Sequence, residues 1–270
     1  MKIFNSHVHT SNSPDCHYSA DVMAQAAYHE GASGISITDH CTASNFISFD
    51  TYNIAKASVA DVKRLKNQYT GQLEIFCGIE FDEMIWCNDY AKRIIESMDF
   101  DVVLASVHKV RKCPTGQHFS RIDFSKLSEE DIYTYAGWYF EDVLETAKKC
   151  DFDVLAHLTI IARYICGKYG RSLDLSRFAP ITDEVLKVLI SRGKSLEVNT
   201  SEVSNIGLIP DKEILMRYKA MGGELVTIGT DAHIPEKIVH GFRVAAETLK
   251  ECGFKYYTYY KNRKPQKEYI

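Results

Sequence analysis

Short apolar segments alternate with longer amphipathic segments along the whole chain, and this alternation predicts the fold. The short runs are rich in Val, Ile and Leu and are bounded by polar turn residues, as is typical of buried strands. The predicted strands are Lys2–Ser6, Gly34–Thr38, Leu73–Ile79, Val102–Val107, Val154–Ala156, Ser195–Val198 and Leu225–Gly229. The segments between them have the helical period, and some follow a Ser or Asp cap or end at Gly. The predicted helices are Val22–His29, Ala55–Gln68, Tyr90–Met98, Glu129–Lys149, Asp183–Arg192, Asp211–Met221 and Pro235–Lys250.

Strands that alternate with helices in this way are joined by right-handed crossovers and lie parallel. Seven such units favour a closed, TIM-like α/β barrel over an open sheet. With no linker or low-complexity tract in the sequence, we expect one domain over residues 1–270. The aromatic segment Phe254–Tyr260 is expected to add a final strand. In such barrels the chemistry lies at the carboxyl ends of the strands.

Composition narrows the function without deciding it. The 270 residues are 45% hydrophobic and 25% charged, with a net charge of -4. That charge gives no case for a nucleic-acid or membrane surface, and the basic segment Lys261–Lys267 is interpreted as a solvated end. No export signal or apolar span is present, so we expect a cytoplasmic protein. The eight cysteines contain no C-x-x-C pair and are expected to be reduced thiols.

Candidate metal ligands follow the predicted strands. His7 and His9 leave the first strand on one side, because residues i and i+2 of a strand share a face. Further donor residues follow most of the later strands. In chain order these residues are His7, His9, Asp39, His40, Glu80, His108, His157, Asn199, Asp231 and His233. Any one of them alone could be a packed histidine or a helix cap.

Together, six histidines and several acids on one barrel face predict a metal centre. Groups crowded in this way need shared cations to offset their desolvation and repulsion. Imidazole and carboxylate ligands suit zinc, manganese or iron better than calcium. More than one ion is implied, since a tetrahedral zinc takes three or four ligands. Glu80, on a central strand, is the candidate to bridge two ions.

Six motifs give this chain its resemblance to a known family. They are His7-x-His9, Thr38-Asp39-His40, Gly78-Ile79-Glu80, Ser106-Val107-His108, Ala156-His157 and Gly229-Thr230-Asp231-Ala232-His233. Together they resemble the motifs of the PHP (polymerase and histidinol phosphatase) family. The spacing and length are similar to those of its stand-alone histidinol-phosphatase branch.

The resemblance implies a distorted (β/α)7 barrel with two or three divalent metal ions. By this resemblance, the first ion would be bound by His7, His9, Glu80 and Asp231, the second by Glu80, His108 and His157, and the third by Asp15, His40 and His233. His17 is the alternative to Asp15. The resemblance also implies a phosphate contact from Arg163. The branch's arginine after the sixth strand is missing from Asn199–Ser204, and Lys109, Arg111 and Arg171 are the candidates to replace it.

The function that follows is metal-dependent hydrolysis of a small phosphomonoester. Histidinol phosphate, which would be converted to histidinol and phosphate in histidine biosynthesis, is the substrate that the branch implies. Water activated by metal coordination would attack phosphorus, with Glu80 bridging the ions and Asp231 or His233 transferring protons. Four alternatives stay open: another phosphate ester, a phosphodiester or nucleotide substrate, an amidohydrolase, and a non-catalytic metal-binding regulatory module. The sequence does not predict an oligomeric state.

Overall fold

Strands and helices alternate in the computed structural model of the protein, which describes residues 1–42 and 51–270. The strands are β1 (Phe4–Val8), β2 (Gly34–Ile37), β3 (His40–Thr42), β4 (Glu74–Asp82), β5 (Val102–Ser106), β6 (Val154–Leu155), β7 (Ser195–Asn199), β8 (Val226–Gly229), β9 (Tyr256–Lys261) and β10 (Lys264–Tyr269). The helices are α1 (Ala20–His29), α2 (Thr51–Gln68), α3 (Asn88–Ser97), α4 (Glu129–Lys149), α5 (Ala179–Arg192), α6 (Lys212–Ala220) and α7 (Phe242–Glu251). The predicted α/β class is confirmed.

Strands β1 to β8 form a parallel sheet whose order follows the chain. β2 and β3 both pair with β4, so they are two pieces of one strand position interrupted at Thr38 and Asp39. Within the described residues the parallel part of the sheet therefore has seven strand positions, the number predicted. Apolar side chains of the helices pack against this sheet to form the core, as Ala55, Val62 and Leu65 of α2 do.

The two edges of the parallel sheet meet at the carboxyl ends of β1 and β8. The Asp231 amide donates to the His7 carbonyl at 2.9 Å, and the His9 amide donates to the Ala232 carbonyl at 3.0 Å. Val8 and Ala232 form a parallel bridge there. The first and last barrel strands are thereby joined at the end where the candidate ligands lie.

At the opposite end, β9 lies against both edges of the sheet. Thr258 of β9 pairs with Thr227 of β8, and the Phe4 amide of β1 donates to the Tyr257 hydroxyl at 3.0 Å. β10 then pairs with β9 in an antiparallel hairpin. The predicted final strand is confirmed as β9, whereas β10 was not predicted.

Most element boundaries differ from prediction by a few residues. β1 and β4 extend further, to Val8 and Asp82, so His7 and Glu80 lie inside strands rather than after them. α7 begins at Phe242 instead of Pro235, because Gly241 takes a positive φ of 68° that ends a short turn before the helix. None of the helices in residues 1–42 and 51–270 is long and apolar enough to cross a membrane.

Candidate metal centre

The predicted metal ligands come together at the carboxyl ends of the barrel strands. Each lies within 3.9 Å of another member of the set. Three of the ligands lie on strands: His7 on β1, His40 on β3 and Glu80 on β4. Five lie directly after strands: His9 after β1, His108 after β5, His157 after β6, and Asp231 and His233 after β8. The last, Asp15, lies on the loop that follows β1.

Glu80 lies at the centre of the cluster and is fully buried. Its Oε2 atom is 3.2 Å from Nε2 of His7 and 3.4 Å from Nε2 of His9. Asp231 completes this group, with Oδ1 at 3.2 Å from Nε2 of His9. These are the four residues predicted for the first ion.

The other carboxylate oxygen of Glu80 faces a second pair of imidazoles. Its Oε1 atom is 2.9 Å from Nε2 of His157 and 3.9 Å from Nε2 of His108. A carboxylate with imidazoles near each oxygen has the arrangement of a bridging ligand. Glu80 thus lies between two groups of imidazoles, and its bridging role stays a prediction.

The third predicted group lies nearer the surface. Oδ2 of Asp15 is 3.6 Å from Nε2 of His40 and 3.3 Å from Nε2 of His233. His17, the alternative ligand, is exposed, and among the described residues no ion pair joins it to this group. Asp15 is therefore the better candidate of the two.

Three of the histidines, His7, His9 and His233, use Nδ1 for a supporting contact. Nδ1 of His7 contacts Glu197 at 2.7 Å, Nδ1 of His9 contacts Ser13 at 3.0 Å, and Nδ1 of His233 contacts the Asp231 carbonyl at 3.0 Å. Such contacts fix the tautomer and direct the other nitrogen, Nε2, inward, as is usual for metal-binding histidines.

Two observations test whether these residues fit divalent ions. Nε2 atoms of His7 and His9 are only 3.0 Å apart, a spacing that needs a shared proton or cation between two nitrogen lone pairs. Nδ1 of His157 is buried with no hydrogen-bond partner among the described residues, so this ring is held mainly through Nε2. The donor set, imidazole with carboxylate, suits zinc, manganese or iron. The residues fit divalent metal ions.

Two of the five described non-glycine residues with a positive φ are candidate ligands. His157 has a φ of 27° and Asp231 a φ of 51°, both in the left-handed region that non-glycine residues seldom adopt. Each such residue costs about 1–3 kcal/mol and persists where the surroundings hold it in place. Strain of this kind is common at functional sites.

Crowding of imidazoles and carboxylates shifts the pKa values of both kinds of group. Burial lowers the pKa of His7, but the carboxylates of Glu197, Glu80 and Asp231 outweigh burial and raise it well above 6.5. Burial raises the pKa of Glu80, but the His40 and His7 charges outweigh it and hold that pKa well below 4.5. Protons and divalent ions therefore compete for the same nitrogen atoms.

The pKa of His9 shifts in the opposite direction to those of His7, His40 and His108, which are raised. Burial, with the charges of His233 and His40, lowers the pKa of His9 to about 4. This imidazole is neutral at physiological pH and can accept a cation without first losing a proton. It is the ring best prepared to bind metal.

Two acids that position the histidines were missed in the sequence. Oδ1 of Asp82 lies 3.0 Å from Nδ1 of His40 and 3.1 Å from Nδ1 of His108. Glu197 contacts Nδ1 of His7 and also accepts from the His157 amide at 2.8 Å. The sequence contains a feature that could have identified each acid. Asp82 is two residues after Glu80 and so lies on the same strand face, and Glu197 is a charged residue inside a buried strand.

Gly229 makes room for the Glu197 contact. A Cβ atom at this position would lie 2.2 Å from Oε1 of Glu197 and 2.7 Å from Cβ of His7. The glycine of the Gly229–His233 motif is thus required by close packing below the cluster.

Asp39 and Asn199 have supporting roles rather than ligand positions. Asp39 accepts from the Thr10 amide at 2.6 Å and from the hydroxyls of Ser13 and Ser58 at 2.9 and 2.7 Å. It fixes the loop that carries Asp15. The side-chain NH2 of Asn199 donates to Oε2 of Glu197 at 3.1 Å and so helps to hold that carboxylate.

A cleft of about 740 Å³ opens beside the third group. Asp15, His40, Lys109, His118 and Arg121 are among its lining residues. The predicted substrate contact Lys109 is therefore at the cleft wall.

Arg163 lies at the edge of the cluster. Its Nε donates to Oε1 of Glu202 at 2.8 Å, and its Nη1 is 3.5 Å from Oδ2 of Asp231. The guanidinium is a quarter exposed, so its remaining donors can reach a ligand beside Asp231.

The structure does not bring two of the candidate phosphate contacts to the cleft. Nε of Arg111 donates to Asp142 of α4 at 2.7 Å, and the Arg111 amide donates to the same carboxylate. Arg171 donates to the carbonyls of Phe124, Ser125 and Leu127. These interactions hold loop segments in place, so neither arginine contacts the candidate centre.

The parallel barrel and its donor set define an α/β barrel protein with a candidate polynuclear metal centre. The family model described as PHP domain matches residues 5–201, more than half of the chain. The chain belongs to the PHP domain family, as its motifs predicted.

Relatives and a solved structure extend this similarity over nearly the whole chain. A probable histidinol-phosphatase of Clostridium acetobutylicum is 24% identical over 257 residues, which cover 94% of this chain and 95% of that protein. A histidinol-phosphatase of Lactococcus lactis subsp. lactis is 24% identical and covers 94% and 93%. The crystal structure of a Lactococcus lactis histidinol phosphate phosphatase, complexed with zinc, L-histidinol and phosphate, has a TM-score of 0.82 at 22% identity and covers 98% and 99%. This structural match supports the predicted fold.

Proposed function

We propose that this protein is a metal-dependent phosphomonoesterase that hydrolyses L-histidinol phosphate to L-histidinol and phosphate. The observation that carries the proposal is the position of Glu80, whose two oxygens face separate groups of imidazoles. The substrate is inferred from the full-length similarity to histidinol-phosphatases.

Three ligand groups are proposed for divalent ions. They are His7, His9, Glu80 and Asp231 for the first, Glu80, His108 and His157 for the second, and Asp15, His40 and His233 for the third. Ions held there supply activated water and positive charge for a phosphoryl group. Zinc, manganese and iron all suit these ligands.

The chain's own residues orient the ligands and the substrate. Asp82 and Glu197 hold the imidazoles of His40, His108 and His7 through Nδ1. Arg163, held by Glu202, presents its free donors beside Asp231, where a phosphoryl oxygen could accept them. Lys109 adds positive charge at the cleft wall.

Burial raises the pKa of Asp231, but His7, His9 and Arg163 outweigh burial and hold that pKa well below 3.8. Asp231 is therefore ionised and is the better candidate of the two to accept a proton. Its Oδ2 atom faces Arg163, while its Oδ1 atom faces His9. His233 already uses Nδ1 for the Asp231 carbonyl and directs Nε2 toward Asp15, so its ring is committed to positioning. We therefore assign proton acceptance to Asp231 and a ligand role to His233.

A phosphate-release assay tests the proposal. The metal-stripped protein is reloaded with zinc, manganese or iron and assayed on L-histidinol phosphate, sugar phosphates, amino-alcohol phosphates and nucleotide monophosphates. We expect kcat/KM for L-histidinol phosphate to exceed the others by about a hundredfold, because a site that hydrogen-bonds a substrate discriminates strongly against analogues that lack its polar groups.

The same assay separates the alternatives. Hydrolysis of bis-p-nitrophenyl phosphate in preference to p-nitrophenyl phosphate would assign a diesterase instead. Full metal occupancy without turnover of any ester would favour a metal-binding regulatory module.

A further inference from the structure

His118 is a histidine at the cleft wall that the proposed ligand groups do not use. It lies on the loop between β5 and α4 and lines the cleft. Its ring stacks on that of His108, with centroids 5.2 Å apart and an interplanar angle of 19°. The Tyr164 ring meets it edge-on, with centroids 6.0 Å apart. These two contacts fix the plane of the imidazole beside the second ligand group.

The hydrogen bonding of His118 fixes its tautomer. Nδ1 accepts from the Ser120 amide at 3.0 Å. A ring nitrogen that accepts a hydrogen bond carries no proton, so the proton is on Nε2. In the part of the chain that the structure describes, Nε2 has no hydrogen-bond partner, and the side chain is partly exposed. The ring thus has an N–H donor without an acceptor.

The surroundings of that donor favour an anionic ligand. Lys109 and Arg121 line the same cleft. The carboxylates that line the cleft have contacts of their own. Asp15 and Asp82 both lie against His40, at 3.6 and 3.0 Å, and Glu83 accepts from the backbone amides of His108 and Lys109 at 2.8 and 3.0 Å. A neutral N–H beside two cationic side chains suits an oxygen acceptor with negative charge.

We propose that the Nε2–H of His118 donates a hydrogen bond to a nonbridging phosphoryl oxygen of the substrate. This makes His118 a substrate-binding residue on the cleft side of the second ligand group. The inference rests on the proposed phosphatase function. It adds a phosphate contact in place of the one that the branch makes with its arginine after the sixth strand, which this chain lacks.

The competing interpretation is purely structural, because the Nδ1 contact also caps the short turn Phe119–Arg121. Two substitutions separate the two roles. In His118→Asn, the side-chain oxygen can replace Nδ1 as the cap, but the Nε2 donor is lost. In His118→Gln, the side-chain NH2 can reach the Nε2 position, but the cap is lost. The exposed His29 of α1 gives the matched control, His29→Asn.

The experiment measures binding of inorganic phosphate to each metal-loaded variant by calorimetry, together with the melting temperature and KM. We expect His118→Asn to weaken phosphate binding about tenfold or more, in line with the loss of a hydrogen bond to a charged group, while melting is unchanged. His118→Gln should bind phosphate within about threefold of the unchanged protein but melt earlier. His29→Asn should alter neither.

Two results would overturn the inference. One is His118→Asn binding phosphate as tightly as the unchanged protein, which leaves His118 as a cap. The other is an increased KM with unchanged phosphate binding, which assigns the contact to the alcohol part of the substrate. Because phosphate binding does not require turnover, the measurement still decides the role of His118 if no ester is hydrolysed and the proposed function fails.

Discussion

Two buried polar clusters lie at opposite ends of the barrel, and they are built from different partners. At the amino ends of β5 and β6, Asp101 accepts from Lys66 at 2.8 Å and from two backbone amides, of Cys77 and Asn262. Asp153 accepts from Arg263 and from the Val103 amide. At the carboxyl ends, Glu80 and Asp231 are surrounded by imidazoles.

The difference distinguishes a structural cluster from a candidate functional one. Lys, Arg and backbone N–H groups keep their protons at all physiological pH values, so the acids at the amino ends are satisfied by the chain itself. Imidazoles titrate near neutral pH, and at the carboxyl ends two of their nitrogens are only 3.0 Å apart. A cluster of that second kind is completed by a cation from solution.

The largest expected effect comes from Glu80→Gln. The amide cannot bridge two cations, so we expect metal content to fall and kcat/KM to drop about a thousandfold. Glu74→Gln is the matched control, since Glu74 lies on the same strand at the other end of the barrel and is half exposed. Phosphate release and metal analysis check both variants. A Glu80→Gln protein with full metal content and activity would contradict the bridging assignment.

A substitution in the cluster at the amino ends of the strands should lower the stability of the protein and leave its activity unchanged. Arg263→Ala leaves the buried Asp153 without its bidentate partner, and we expect a loss of about 3 kcal/mol in the free energy of unfolding. Activity below the melting transition should be unchanged. Urea unfolding and the phosphate-release assay measure the two quantities. Loss of activity in the folded variant would mean that the two ends are coupled.

A smaller effect is expected from Glu197→Gln, which weakens the support of the cluster rather than its ligands. The amide keeps the size of Glu197 but loses the charge that raises the pKa of His7. We expect metal affinity to fall about 10- to 100-fold, the usual cost of losing a partner of a ligating histidine. Titration with zinc under a competing chelator measures this, and an unchanged affinity would assign Glu197 to packing alone.

Strand periodicity accounts for the part of this centre that the sequence could predict. His7, His9, Glu80 and Asp231 follow or end apolar runs, and parallel strands in a barrel bring such ends together. Asp82 was missed because the predicted third strand stopped at Ile79, three residues short of the observed end.

Contacts made by loops could not be predicted in this way. Arg111 was predicted to contact substrate, yet it pairs with Asp142, 31 residues further along the chain. His118 lies in the insertion between β5 and α4, where no periodic pattern indicates which side chain faces the cleft. Tertiary packing decides both, and neither local propensity nor spacing contains that information.

A pH dependence of stability separates the two clusters without any substitution. The folded pKa values of His7 and His40 are raised above 6.5. Their stabilising effect is fully present below the unfolded value and is lost as pH rises through the folded pKa. Glu80 and Asp231 have lowered pKa values and stay ionised throughout neutral and alkaline pH.

We therefore expect the metal-stripped protein to lose stability as pH rises above about 6.5, the unfolded value, and through the raised folded pKa values, by up to about 1.4 kcal/mol per pH unit for each proton released. The stabilisation gained by adding manganese should rise over the same range, because metal binds the neutral imidazoles. Urea unfolding with chelator and with manganese measures both trends. The loss caused by Arg263→Ala should be constant over this range, since a guanidinium does not titrate there. A metal-free stability that stayed constant or rose with pH would contradict this account. Protonated imidazoles would then not be the groups that neutralise the charges of Glu80 and Asp231 in the metal-free protein.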